Sequence, residues 1–121
     1  MAYTIELRTI TDDRGSLTVI EKLLPFEIKR VFYVYNVPGE GLRAGHRHRK
    51  ELSALVSLNG TCVVKVLGFS EQHFVLDRPD LCLVLLPGDW HEIMDFSEGA
   101  ILLVLSSEYY DPTDYVYEKL E

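Results

Sequence analysis

Turn chemistry cuts this 121-residue chain into short pieces, and that spacing limits the fold more than any other feature. Asp12-Asp13-Arg14-Gly15, Pro38-Gly39-Glu40-Gly41, Asn59-Gly60, Gly68 to Gln72, Pro87-Gly88-Asp89 and Ser97-Glu98-Gly99 all combine residues that favour turns. Between them lie runs of strand length. Residues 3–10 alternate in polarity, 16–21 return, and Arg30 to Val37 is β-branched and aromatic throughout. Asn59-Gly60 predicts a tight two-residue hairpin. Leu81 to Leu86 and Ala100 to Leu105 are continuously apolar, as strands buried on both faces are. Strands recurring about every 8–12 residues predict an all-β sandwich or barrel. Only the tail reads otherwise. Asp111 as N-cap, Pro112 at the first helical position and Asp114 in the first turn predict a short helix running toward Leu120.

Composition narrows the function. Hydrophobic residues make up 47% and aromatics 11%, which excludes disorder and supplies one core for a single domain over residues 1–121. A formal net charge of −7 argues against nucleic-acid binding, because no basic excess exists to neutralise phosphates. The first residues alternate and carry charge, unlike a signal peptide, and no window is apolar enough to span a membrane. Cys62 and Cys82 sit in apolar runs without metal-ligand spacing, so they read as core residues in a reducing compartment. The expectation is a cytoplasmic protein.

The chemistry gathers in Gly41 to Gly60. Read as one strand, this stretch puts His46, His48, Lys50, Leu52, Ala54, Val56 and Leu58 on one face. Arg47, Arg49, Glu51, Ser53, Leu55, Ser57 and Asn59 take the other. Two histidines in line with an apolar face could be ordinary half-buried residues. Followed by Lys50 and preceded by Arg43, they read better as the titratable mouth of a barrel. Two side chains at that spacing stand roughly 6–7 Å apart along a strand. A third histidine, His91, follows Pro87-Gly88-Asp89-Trp90.

His-x-His with a later Gly-x-x-His resembles the skeleton of the cupins, small jelly-roll barrels. Metal-binding cupins add a glutamate on the histidine face. Here that face carries Lys50, and Glu51 is expected to point away, so no metal is expected, although three histidines alone can hold zinc. Without a metal the histidines are proton-transfer groups, since imidazole gains and loses a proton near neutrality. Arg14, Arg43 and Lys50 are candidates to hold a diphosphate. Tyr35 and Trp90 are candidates to stack on a base or sugar.

The chain resembles one family over nearly its whole length. Asp13-Arg14-Gly15-Ser16-Leu17, Leu24-Pro25-Phe26-Glu27-Ile28-Lys29-Arg30-Val31, Arg43-x-x-His46-x-His48-x-Lys50, Trp90-His91-Glu92, Asp95-Phe96-Ser97, Tyr109-Tyr110-Asp111 and Asp114-Tyr115 are similar to the sugar 3,4-ketoisomerases. These are WxcM-like cupins acting on dTDP-4-oxo-6-deoxyglucose. The resemblance implies a cupin jelly-roll and a cofactor-free, metal-independent enzyme that moves a carbonyl from C4 to C3 through an enediol. It implies His46 as the carbon base, His48 as the proton shuttle between oxygens, and His91 in the same pocket. It further implies a homodimer exchanging amino-terminal strands, and a role in deoxyamino-sugar biosynthesis for bacterial surface glycans such as O-antigen. Where the family commonly shows Arg-Gly-x-His-Ala-His, this chain has Arg43-Ala44-Gly45-His46-Arg47-His48, with Arg47 expected to face outward. Two other readings stand beside this one: a metal-dependent small cupin enzyme, and a non-catalytic cupin that binds a nucleotide sugar.

Overall fold

The computed structural model describes residues 1–119. In chain order the strands are β1 (Tyr3–Glu6), β2 (Arg8–Asp12), β3 (Gly15–Val19), β4 (Arg30–Tyr35), β5 (Arg43–His48), β6 (Ser53–Asn59), β7 (Cys62–Leu67), β8 (Glu71–Leu76), β9 (Leu81–Leu85), β10 (Trp90–Met94), β11 (Ile101–Ser106) and β12 (Tyr115–Val116). They form two five-stranded antiparallel sheets, ordered β1-β9-β6-β11-β4 and β12-β5-β10-β7-β8, with β2 and β3 as a separate hairpin. This is the all-β architecture that the turn spacing called for, with the two facing sheets that the resemblance to cupins implied. Among the described residues no helix is long and apolar enough to cross a membrane.

The two sheets face each other over one apolar core. Leu55, Leu83, Leu85, Leu102 and Val104 of the first sheet meet Cys62, Val64, Val66, Leu76 and Ile93 of the second. Each fully buried side chain of this size contributes roughly 1.5–3 kcal/mol by leaving water. The back of the first sheet is covered as well. Ala54, Val56, Cys82, Val84 and Leu105 pack under Leu7, Ile20, Leu24 and Phe26. Strands β9 and β11 are therefore apolar on both faces, which is why Leu81 to Leu86 and Ala100 to Leu105 lack alternation. Both cysteines are buried and unpaired, and burial pushes each thiol up to about 11.

Three sequence expectations fail, each for a physical reason. Asn59-Gly60 does not close a hairpin: β6 pairs with β9 and β11, and β7 pairs with β8 and β10. The turn instead carries the chain from one sheet to the other. Gly60 takes φ +69°, Ser57 Oγ donates to its carbonyl at 2.8 Å, and Asn59 Nδ2 donates to the Gly99 carbonyl at 2.9 Å. The reading of residues 3–10 as one strand fails at buried Leu7, where β1 ends and the chain leaves for the exposed β2–β3 hairpin.

The tail helix is the third. Asp111 does cap, accepting from the Thr113 amide at 2.9 Å, and Pro112 does occupy the first position. Only a single 3₁₀ turn, Pro112–Asp114, follows before Tyr115 pairs with His48 as strand β12. The burial of Asp114 and the ladder to β5 outweigh helix propensity. The end of the expected helix at Leu120 lies outside the described residues.

Candidate active site

The long histidine stretch is two strands in two sheets. Residues 49–52 leave the ladder, and the side-chain phase changes as the chain crosses. Past this corner Ser53 and Leu55 face the interior, while Ala54 and Val56 face the back of the first sheet. Glu51, expected to point away, is 4% exposed and lines the cavity between the sheets. Lys50, expected beside the histidines, is exposed and opens on a neighbouring groove with Lys29, Tyr109, Tyr110 and Asp111.

The cavity measures about 200 Å³. One wall is polar, built from Arg43, His46, His48, Glu51, Ser53, His91 and Tyr115; Phe32, Val34, Leu55, Ile93, Leu102 and Val104 form the apolar wall. Sites that enclose a drug-sized ligand run about 300–1,000 Å³. This one has room for a sugar ring and leaves a nucleoside diphosphate outside.

Backbone geometry brings the three histidines together. His46 of β5 lies directly across from His91 of β10, with a bulge between that pair and the next. Ala44 and Gly45, at φ +67° and +79°, supply the bulge. The Gly88 amide donates to the His48 carbonyl at 2.8 Å, pinning the turn before His91 against β5. The rings are closer than the 6–7 Å expected along a flat strand: His46 Nε2 and His48 Nε2 are 3.2 Å apart. Tyr115 lies over both, with ring centroids 4.7 and 4.5 Å away.

Hydrogen bonds assign the protons. His48 Nδ1 donates to Asp114 Oδ2 at 3.0 Å, and Asp114 also accepts from the Lys50 amide at 2.7 Å and the Glu51 amide at 3.2 Å. Asp114 is 3% exposed, so the corner and the tail are tied through one buried carboxylate. On its other side His48 Nε2 lies 3.3 Å from Glu51 Oε2. Glu51 Oε1 accepts from Arg30 Nη2 at 2.9 Å, and Oε2 accepts from Ser53 Oγ at 3.0 Å. His48 is thus the ring set between two carboxylates. Burial, then the charge of His48, lowers His46 to about 4 against a partly offsetting bond to the Ala44 backbone. Burial chiefly lowers His91 to about 3, and its Nδ1 donates to the Asp89 carbonyl at 3.2 Å. At neutral pH His46 and His91 are uncharged, and His46 Nε2 meets His48 Nε2 within hydrogen-bond distance.

The remaining candidates divide. Arg43 lines the cavity. Trp90 does not: it precedes His91 on the same strand and so takes the other face, where Nε1 donates to Glu92 Oε2 at 2.9 Å under Lys119. Tyr35 likewise faces outward, exposed beside Tyr33, Leu58 and Ile101, while its neighbour Val34 faces in. Arg14 projects from the β2–β3 turn, paired to Asp12 at 2.6 Å and exposed, with no part in this chain's cavity. Glu51, Asp114, Arg30 and Tyr115 were not picked out as site residues from sequence. Arg30 and the Asp114-Tyr115 pair were visible only within family motifs, and Asp114 also as a first-turn acid of the expected helix. Donor atoms of His46, His48 and His91 lie within 4.8 Å of one another, as do those of His48, Glu51 and Asp114, a spacing that a divalent cation could also use.

The chain is 45% identical over 115 residues to a TDP-4-oxo-6-deoxy-α-D-glucose-3,4-oxoisomerase of Aneurinibacillus thermoaerophilus, covering 93% of this chain and 83% of that one. Among solved structures it is similar to the sugar 3,4-ketoisomerase QdtA of Thermoanaerobacterium thermosaccharolyticum in complex with TDP. There the TM-score is 0.93 and the identity 40%, over 97% of this chain and 88% of the other. The WlaRB TDP-quinovose 3,4-ketoisomerase of Campylobacter jejuni gives the same TM-score at 37% identity, over 97% and 92%. Residues 2–121 match the family described as FdtA: WxcM-like, C-terminal, and the chain belongs to that family.

Proposed function

We propose that this protein is a sugar 3,4-ketoisomerase that takes a TDP-linked 4-oxo-6-deoxyhexose and returns the 3-oxo isomer. The observation that carries the reading is the His46–His48 pair: an uncharged ring 3.2 Å from a ring flanked by two carboxylates, in a cavity sized for one sugar. Family membership supplies the substrate class.

The chemistry balances with these groups alone. His46 Nε2 takes the proton from C3, and the C–H electron pair becomes the C3–C4 double bond. His48 Nε2–H gives its proton to O4, forming the enediol. The same nitrogen then takes the proton from O3, the C3 carbonyl forms, and His46 returns its proton to C4. Both histidines end as they began. Asp114 accepts from His48 Nδ1–H throughout, so in this cycle the ring alternates between the form with both protons and the Nδ1–H tautomer, with Nε2 toward the sugar. His91 presents its unprotonated nitrogen to the cavity as an acceptor for a sugar hydroxyl. The apolar wall keeps water from the enediol. Arg43 binds the diphosphate at the mouth.

We also infer a cytoplasmic homodimer. The β2–β3 hairpin packs against little of its own chain, exposing Ile10 and Leu17, and β4 is a sheet edge carrying exposed Val31, Tyr33 and Tyr35. A second copy covering these surfaces by exchanging amino-terminal strands would give Arg14 and Tyr35 a role that they lack within one chain. The acidic net charge supports the absence of a nucleic-acid partner.

Proton NMR of TDP-4-oxo-6-deoxyglucose with the enzyme in D₂O tests the reading. Appearance of a 3-oxo sugar carrying deuterium at C4 supports it; an unchanged substrate refutes it. The convergence of His46, His48 and His91 keeps a metal-dependent reading open, and chelation separates the two. Isomerisation unchanged after EDTA treatment and metal-free dialysis is the expected result.

A further inference from the structure

We propose that Glu51 is a positioning residue for proton shuttling, holding the Nε2 proton of His48 on the sugar side of the cavity between its two transfers. This rests on the ketoisomerase reading. The geometry separates the role from that of a plain buried ion pair. An arginine and a carboxylate joined only for stability favour two parallel bonds. Here one nitrogen of Arg30, Nη2, meets one oxygen, Oε1, while Arg30 Nε stays buried with no partner among the described residues. The second oxygen is turned away from the arginine, toward Ser53 Oγ at 3.0 Å and His48 Nε2 at 3.3 Å. One carboxylate oxygen therefore serves the arginine, while the other accepts from Ser53 and stands within ion-pair distance of the histidine.

Every charged group facing this carboxylate fits the role. Arg30 comes from β4, His48 from β5 and Asp114 from the tail, with Ser53 the neutral partner on β6. Arg30 and Glu51 cancel, which leaves the Asp114 charge for a His48 ring carrying both protons. Asp114 alone fixes the ring by its far nitrogen. Glu51 adds an acceptor on the working side, so the proton has a place to wait that is neither His46 nor solvent. With Glu51 absent, the proton from C3 still reaches His46, but the oxygen-to-oxygen transfer slows, and more enediol returns to substrate after exchanging with solvent.

Glu51→Gln tests this with substrate deuterated at C3. Isomerisation should fall about 10–100-fold in kcat, as expected for neutralising a buried carboxylate in ion-pair contact with the shuttling histidine. KM should stay within twofold, and the ratio of C3 label wash-out to product formation should rise. Ser53→Ala, which removes the hydroxyl that fixes this oxygen's aim at His48 but leaves the Arg30 bond, should shift that ratio in the same direction by less, and it decides the matter if Glu51→Gln does not fold. A kcat within twofold of wild type, or wash-out and isomerisation falling by one common factor, would overturn the proposal. The His48 ring N–H resonance, read by NMR without substrate, should shift and exchange faster with water in Glu51→Gln. An unchanged resonance overturns the proposal even if wild-type protein proves to have no isomerase activity, a result that would separately sink the functional reading.

Discussion

The two walls of the cavity are built by different rules. The apolar wall comes from strand interiors: Leu102 and Val104 of β11, Val34 of β4, Leu55 of β6 and Ile93 of β10, each placed by simple alternation within a regular ladder. The polar wall comes from irregular places, namely a bulge at Ala44–Gly45, a corner at 49–52, a turn before His91 and a single 3₁₀ turn before Tyr115. Regular strands make a container and their interruptions furnish it. The container is tolerant in chemistry and strict in volume; the furnishings are the reverse.

That contrast can be broken at several points. His46→Asn should cut kcat by about 10²–10⁴-fold, the usual worth of a positioned general base, and leave the circular dichroism spectrum and melting curve of the barrel intact. Equal loss of fold would mean that the polar wall also carries stability. Leu102→Ala should do the opposite, costing about 2–5 kcal/mol in chemical denaturation while the folded fraction keeps its histidine geometry.

Acid sharpens the comparison, because the apolar wall is what dries the histidines. With His46 lowered to about 4, kcat/KM should stay level as pH falls through 6.5 and drop only on approaching 4. A drop near 6.5 would mean a wet cavity. Stability runs on the same groups. The unfolded chain takes up protons near 6.5, whereas folded His46 and His91 resist to about 4 and about 3, so stability is full above 6.5 and declines as pH falls toward those values. Melting temperature against pH, in wild type and His91→Gln, measures it. The smallest effect is expected at the mouth: Arg43→Ala should raise KM about tenfold, or ~1.4 kcal/mol, with kcat nearly unchanged.

The sequence was legible where one ladder runs unbroken. Period-two alternation placed His46 and His48 together, and continuous apolar runs marked β9 and β11 as doubly buried. It failed where alternation was carried across an interruption. Counting by twos from His48 selects Lys50, but residues 49–52 belong to no strand, and the chain re-enters a different sheet with Glu51 and Ser53 facing in. Alternation applied within β10 and β4 would have excluded Trp90 and Tyr35, since His91 and Val34 take the inner face. Asp114 carried an ambiguous signal. An acid three residues past an N-cap is ordinary in a helix, and only its burial against His48 reveals it as a structural anchor.

One consequence lies in β12. This strand is two residues long and, among the described residues, pairs only with β5, yet the segment entering it brings both Asp114 and the Tyr115 ring to the histidines. Short peripheral ladders open locally at far lower cost than a whole barrel. The enzyme's competence is therefore less durable than its architecture: fraying of two residues withdraws the Tyr115 ring from the histidines and loosens the chain next to the Asp114 anchor while both sheets remain closed. Heat should silence this protein before it melts it.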